Sequence, residues 1–346
     1  MHRRRRNGGW MLTGAAVAAV LATALTGCAP QPGPSDWTLA PIPFGAERAD
    51  IAYGMSHLTP DGDGGFWAVS SGSWLHVDAE EETVARFNAP LDSPLSRVTA
   101  MATLSPTELV VVRDEGAPVL AVLDTSTMSM RDLPGEAPSG SGGPTDFGDF
   151  EFGDVAVQSG AAIVIRYRVG DDGALGYEVL RVSLDDGART LLHSEPLDWS
   201  DAPGSSPDLP PVDVDVDATG AVHIATRTAR VVLEPDGAER SRAAQNAERP
   251  HVAVAADGTA LWWGGGARDS AEQGVVVGGS SEARASIEAR SGCADALLLT
   301  DAGGDEHPLP FLCGANAAAR VGDSWVVAIG GEGDGVLVRL VPPSRS

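Results

Sequence analysis

Seven residues before the glycine of a recurrent acidic turn, the chain repeatedly offers a side chain capable of chemistry. From Gly64 the count reaches His57, from Gly220 it reaches Asp213, and from Gly258 it reaches His251. Three weaker copies of the same unit hold only small residues there: Ala100, Gly153 and Ala315. Two imidazoles and a carboxylate on one rim could act as general acid and base, or could bind a divalent metal. Imidazole with carboxylate suits zinc or a similar first-row ion, and three ligands would leave a position open for water or substrate. Apart from that divalent metal, no cofactor is expected. The familiar catalytic strings are absent: there is no Gly-x-Ser-x-Gly, no His-Glu-x-x-His and no Cys-x-x-Cys. All 24 basic residues are arginine, which removes Schiff-base and P-loop lysine chemistry. Two acidic runs, DVDVDATG at 213–220 and DGDGG at 61–65, raise calcium. The turn glycine is misplaced, however, and Ile224 stands where a chelating glutamate would be needed, so both read as polar turns. His76, His193, His223 and His307 fall at unrelated positions and read as structural or exposed.

What positions the three candidates is a chain written in short strands. Beyond residue 36 no segment keeps a helical apolar period for three turns. Instead, Val/Ile/Leu/Trp runs are bounded by Gly, Asp and Pro, which predicts an all-β fold. The stretch MSHLTPDGDGGFWAVSSG at 55–72 parallels VDVDVDATGAVHIAT at 212–226 and RPHVAVAADGTALWWGGG at 249–266. Each joins an apolar strand through an acidic, glycine-containing turn to a second strand of bulky residues. Weaker copies begin near residues 98, 153 and 317. Second hairpins follow some of them, as in YEVLRVSLDDGARTLL at 177–192 and ARVVLEPDGAERSR at 229–242.

Two hairpins per unit, repeating every 40 to 60 residues or so, is the pattern of β-propeller blades. The chain resembles exported NHL/YVTN-like propellers over almost its whole length beyond residue 36, by pattern rather than by any diagnostic string. Six blades can be counted, and residues 267–312 are long enough to hide a seventh. The last unit, ending in GVLVRLVPP, lacks a fourth strand, which DWTLAPIPF at 36–44 can supply to close the ring. A two-domain β-sandwich is the competing architecture. In a propeller, the heads of the innermost strands line the mouth of the central channel. That is the place where propeller lactonases and lyases hold metal and perform catalysis, so the resemblance extends to the location of His57, Asp213 and His251. None of those enzymes' residue strings is matched.

The amino terminus carries an address. Arg3, Arg4, Arg5 and Arg6 precede an apolar run from Trp10 to Leu25, the length of a signal-peptide core and shorter than the ~20 residues a bilayer span needs. Leu25-Thr26-Gly27-Cys28 then resembles the lipobox of bacterial lipoproteins. The resemblance implies cleavage before Cys28 and a thioether-linked lipid on it, with the chain held on the extracytoplasmic side of the cell membrane. This divides the sequence into a signal peptide (1–27), a Pro-rich tether (28–36) and a propeller domain (37–346). The absence of lysine points to a GC-rich genome such as an actinobacterial one.

Composition bounds the partners. Without the four signal arginines the chain has 20 basic against 48 acidic residues, a net charge of about −28. Such a surface repels nucleic acid and anionic headgroups. The membrane contact is therefore expected through the lipid alone. Cys293 and Cys313, in an oxidising compartment, are expected to form a disulfide around a hairpin, contributing ~3 kcal/mol. Long connections at 135–152, 196–211 and 267–292 fall on the same face as the strand heads. There Phe147, Phe150, Phe152 and Trp199 alternate with acids, a mixture suited to a protein, peptide or envelope ligand with apolar and cationic groups. Three functions follow as expectations: a tethered ligand- or protein-binding propeller, a metal-dependent propeller enzyme using the channel mouth, and a structural envelope component.

Overall fold

Each pair of sequence hairpins forms one four-stranded antiparallel sheet, and six such sheets make the ring. The computed structural model describes residues 38–42, 55, 57–70, 72–114, 118–133, 152–169, 175–197, 212–247, 249–264, 297–309, 315–329 and 336–341. All of them lie in the unit Trp37–Ser346. Strand β1 (Thr38–Pro41) comes first in the chain and belongs to the last blade. Blade 1 comprises β2 (His57–Pro60), β3 (Phe66–Ser70), β4 (Ser73–Val77) and β5 (Thr83–Asn88). Blade 2 comprises β6 (Val98–Ser105), β7 (Glu108–Asp114), β8 (Pro118–Asp124) and β9 (Ser129–Asp132). Blade 3 comprises β10 (Phe152–Gln158), β11 (Ala161–Val169), β12 (Leu175–Ser183) and β13 (Arg189–Pro196). Blade 4 comprises β14 (Asp213–Val216), β15 (Val222–Ala225), β16 (Ala229–Leu233) and β17 (Glu239–Ala244). Blade 5 comprises β18 (Pro250–Val254), β19 (Ala260–Gly264), β20 (Leu297–Thr300) and β21 (Glu306–Leu309). Blade 6 comprises β22 (Ala315–Val321), β23 (Ser324–Ile329) and β24 (Val336–Val341).

The ring closes as expected. Strand β1 pairs antiparallel with β24, from Thr38 opposite Val341 to Pro41 opposite Val338, and supplies the missing outer strand of blade 6. Residues 297–309 become the outer hairpin of blade 5, so the stretched region that could hide a seventh blade contributes none among the described residues.

Burial runs radially. The second strands β3 and β23 are buried at every residue, because adjacent blades cover both of their faces. This is why they read as unbroken apolar runs (FWAVS, SWVVAI) rather than as alternating ones. The outer strands β5 and β17 are mostly exposed and carry arginines, glutamate and serine, the usual protection of a sheet edge. The core is therefore divided among the seams between blades. One apolar cluster sets Phe66, Leu75 and Val77 of blade 1 against Val326 and Leu337 of blade 6. Another sets Trp67 and Trp74 of blade 1 against Leu109 and Leu123 of blade 2. Each of the other four seams has its own cluster.

The acidic turns are explained by local hydrogen bonding. Asp61 Oδ1 accepts from the backbone N–H of Asp63 and Gly65, both at 2.8 Å. Asp217 does the same for Thr219 and Ala221 at 2.8 and 2.9 Å, and Asp301 for Gly303 and Asp305 at 2.9 Å each. A short acid that binds its own backbone two residues on fixes such a turn. Asp61 and Asp217 thus serve as turn formers in the two runs that had raised calcium. His76 joins this system, 2.9 Å from Asp61 Oδ2 and stacked 4.2 Å from Trp67.

Candidate functional site

The six innermost strands β2, β6, β10, β14, β18 and β22 surround a central channel, a cavity of about 220 Å³. Its wall at the strand-head end is built from His57 of β2, Asp154 of β10, and Asp213 and Asp215 of β14. His57 and Asp213 are the first residues of their strands, and His251 is the second residue of β18. The backbone explains why β14 ends up with carboxyls inside. It is an edge strand whose DVDV alternation turns valines toward blade 3 and aspartates toward blade 5, while all four residues line the channel.

These carboxyls bond across the seams between blades. Asp154 Oδ2 accepts from Val214 N at 3.2 Å, joining blade 3 to blade 4. Asp213 Oδ2 accepts from Val252 N at 2.9 Å, and Asp215 Oδ2 from Val254 N at 2.6 Å, joining blade 4 to blade 5. Thr59 Oγ1 accepts from Thr103 N at 3.1 Å between blades 1 and 2. Innermost strands expose one ladder edge toward the channel, and these side chains satisfy its N–H groups.

His251 Nδ1 lies 3.0 Å from Asp213 Oδ2, and its ring stacks 5.2 Å from Trp263. Asp154 lies within the field of Asp213, and burial together with this like charge favours the protonated form of Asp154. His57 sits across the channel, hydrogen-bonded to the Thr99 backbone and within the field of Asp154 and His251. Of the three predicted residues, then, the structure bonds Asp213 to His251 and leaves His57 as a separate wall residue. Among the described residues no group of three or more His, Cys, Asp or Glu is arranged to hold a metal ion. In this arrangement Asp213 Oδ2 is shared by the His251 ring and the Val252 N–H.

The electrostatics follow from burial. It pushes the Asp154 carboxyl well above the usual range, and the Asp213 charge adds to this. Burial also raises Asp213, and it pushes Asp215 up to about 7. The same desolvation lowers His57, and it lowers His251 to about 4, so both imidazoles are neutral at pH 7. Trp263 lines the same cavity at 5% exposure, and its indole N–H has no acceptor among the described residues.

Asp154 and Asp215 were not among the predicted residues. Counting from turn glycines assumed one register, yet bulges displace the heads of three innermost strands. The pairing of β10 shifts between Phe152 and Val155, that of β6 between Val98 and Ala100, and that of β22 between Ala315 and Ala317. The extra residue carries Asp154 rather than Gly153, and Asn316 rather than Ala315, to the channel wall. Phe152 opens β10. Phe147, Phe150, Trp199, Cys28, Cys293 and Cys313 lie outside the described residues.

One consequence concerns pH. A carboxyl near 7 in the folded chain and near ~4 in the unfolded one keeps a proton that the unfolded chain has lost. Asp215 therefore contributes a stability loss that grows as pH rises from ~4 to 7 and is complete above that. Asp215→Asn keeps an acceptor for Val254 N and removes the charge. It is expected to match wild type at pH 4 and to exceed it by about 4 kcal/mol at pH 8, three pKa units at roughly 1.4 kcal/mol each. Thermal unfolding at the two pH values checks this, and a variant with no gain at pH 8 refutes it.

Fold and channel together define a six-bladed β-propeller. No protein-family model matches the chain, and no curated protein sequence does. Among solved structures, a gluconolactonase from Xanthomonas campestris is similar in fold at 11% identity and TM-score 0.53, covering 88% of this chain and 90% of its own. A second structure, described as a putative gluconolactonase, matches at 10% identity and TM-score 0.50, covering 89% and 93%. PorZ, a surface component of the type-IX secretion system of Porphyromonas gingivalis, matches at 12% identity and TM-score 0.42. The match covers 84% of this chain but only 38% of PorZ.

Proposed function

We propose that the chain is a lipid-anchored, extracytoplasmic propeller that binds a small ligand at the strand-head end of its central channel. Cys28 would carry the lipid, and Cys293 and Cys313 would be joined as a disulfide. The observation that carries the binding reading is the channel wall, where His57, Asp154, Asp213 and Asp215 face one cavity from three blades. Neutral Thr59 caps the edge N–H of Thr103 between blades 1 and 2, so capping the innermost strands does not by itself require acids. The test is equilibrium dialysis of the detergent-solubilised full chain against a small-molecule extract of its source cells, with mass-spectrometric detection. We expect at least one compound retained at one per chain, with retention reduced at least tenfold in His57→Ala. Retention of nothing by wild type, or equal retention by the variant, overturns the reading.

A second reading is hydrolysis in the same channel, favoured by the hydrogen bond between Asp213 and His251 and by the neighbouring Asp154 carboxyl, which burial pushes toward its protonated form. A carboxylate-oriented neutral imidazole can take a proton from water, and a protonated carboxyl can return one to a leaving oxygen. Lactones are the substrates to assay first, since similar folds include a gluconolactonase. The likeness itself extends to fold alone.

A further inference from the structure

We propose that Met128 and Met130 form an oxidation site at the outer rim of the seam between blades 1 and 2, where a hydroperoxide converts thioether to sulfoxide and so loosens that seam. The site lies away from the channel and does not depend on the ligand-binding reading.

The two thioethers border a second cavity, of about 380 Å³, none of whose lining residues borders the channel. Pro94 and Leu95, in the short 3-10 turn Pro94–Arg97 that precedes β6, form its blade 1 side. Arg113 of β7, Met130 and Asp132 of β9, and Met128 just ahead of β9 form its blade 2 side. Met130 and Asp132 share one face of the strand, two residues apart. They stand opposite Leu123 and Ala121, which belong to the apolar cluster of this seam.

Exposure singles these two sulfurs out. Of the six methionines, Met1 and Met11 fall in the expected signal peptide. Met55 is 1% exposed and Met101 5%, and each is held in a core cluster. Met101 touches the channel wall, but it remains buried there. Met128 and Met130 are half-buried and border the outer cavity, so a small oxidant meets them without the seam having to open.

The step balances with a hydroperoxide as co-reactant. A sulfur lone pair attacks the terminal peroxide oxygen, the O–O bond breaks and an S–O bond forms. The terminal oxygen's proton passes to the departing alkoxide. Sulfur is oxidised by two electrons, and the hydroperoxide is reduced to an alcohol, or hydrogen peroxide to water.

The product is polar where the reactant was apolar. Both side chains pack against the cluster that holds Trp67 and Trp74 of blade 1 to Leu109 of blade 2. An S–O group placed there costs stability unless it finds a donor. The nearby donor is the buried Arg113 guanidinium, whose Nη2 donates to Asp132 Oδ1 at 2.7 Å. Sulfoxide on Met130 competes with Asp132 for that guanidinium, and Asp132, with its side chain 56% exposed, can turn to water. Oxidation therefore weakens the apolar packing of β9 and also the ion pair that ties β9 to β7.

The experiment treats the detergent-solubilised full chain with hydrogen peroxide and follows it by peptide mass mapping and thermal unfolding. We expect Met128 and Met130 to gain oxygen at least tenfold faster than Met55 and Met101. The unfolding midpoint should fall by about 2–4 °C over the same interval. Methionine sulfoxide reductases A and B with a thiol reductant should restore both mass and midpoint. The double variant Met128→Leu, Met130→Leu conserves volume and should lose the peroxide response, whereas Met101→Leu should keep it. The rate comparison and the reductase reversal use the wild-type chain, so they decide the matter even where a variant folds poorly. Oxidation of Met55 or Met101 at a comparable rate overturns the site. Selective oxidation with an unchanged midpoint overturns the loosening of the seam.

Discussion

Cys28→Ala is expected to abolish the mature, membrane-held form of the protein. The Leu25-Thr26-Gly27-Cys28 quartet places one thiol at the junction between the apolar run and the Pro-rich tether. If that thiol carries the lipid, nothing else in the mature sequence replaces it. A surface of about −28 is repelled by anionic headgroups, and it offers no polybasic stretch as a second attachment signal. Each buried methylene of an acyl chain contributes ~0.8 kcal/mol, so removing the anchor should shift partitioning by many orders of magnitude. Fractionation with metabolic palmitate labelling and intact mass measurement checks this. Wild type should pellet with membranes, take up label and begin at residue 28. The alanine variant should take up none, and should be found either as uncleaved precursor or free of the membrane. Equal labelling and identical processing of the two proteins would remove the lipoprotein assignment.

The ring of six was legible because its signals are local. Acidic turns such as PDGDGG and DATG fix their own backbone through one aspartate, and strands buried on both faces must be apolar at every position. Both survive whatever lies next to them in space. The site was only half legible. His57 and Asp213 stand in blades whose register is regular, at the first residues of β2 and β14, and a count from the turn glycine reaches them correctly. Asp154 was passed over because β10 carries a bulge at its head, and a bulge leaves no mark in sequence beyond the Gly153 that precedes it. Asp215 was read as part of an acidic run because DVDVDATG mixes two roles. Asp213 and Asp215 serve the channel while Asp217 serves the turn; all three share one two-residue period, and only the end of β14 at Val216 separates them. The bond between Asp213 and His251 spans 38 residues and two blades, so no local pattern could show it.

Gly237→Ala is expected to be far more damaging than Gly160→Ala, and it tests how tightly neighbouring blades are locked. Gly237 ends the EPDG turn between β16 and β17 with φ +90°, a conformation that costs an L-residue roughly 1–2 kcal/mol. That term alone is shared with Gly160, at φ +77° in the β10–β11 turn. The two differ in what surrounds them. A Cβ on Gly160 meets nothing within 4 Å, whereas one on Gly237 would lie 2.2 Å from the Leu192 carbonyl oxygen and 3.0 Å from its carbon. Leu192 is the extra residue where the β12–β13 register shifts, so its carbonyl projects from blade 3 toward the turn of blade 4. Neither side can yield easily. Arg181 of β12 donates to the Pro235 carbonyl of the same turn at 2.9 Å, and Arg242 of β17 bridges to Glu195 of β13 at 2.9 Å. Accommodating the methyl group means prising the seam between blades 3 and 4 or breaking the turn. We expect Gly160→Ala to lose about 1 kcal/mol and Gly237→Ala about 3–5 kcal/mol, the range of strongly disruptive single changes. Denaturant midpoints of the two variants, at equal slope, measure the difference. Equal losses would mean that the carbonyl of Leu192 moves aside freely, and that the seam is looser than its hydrogen bonds imply.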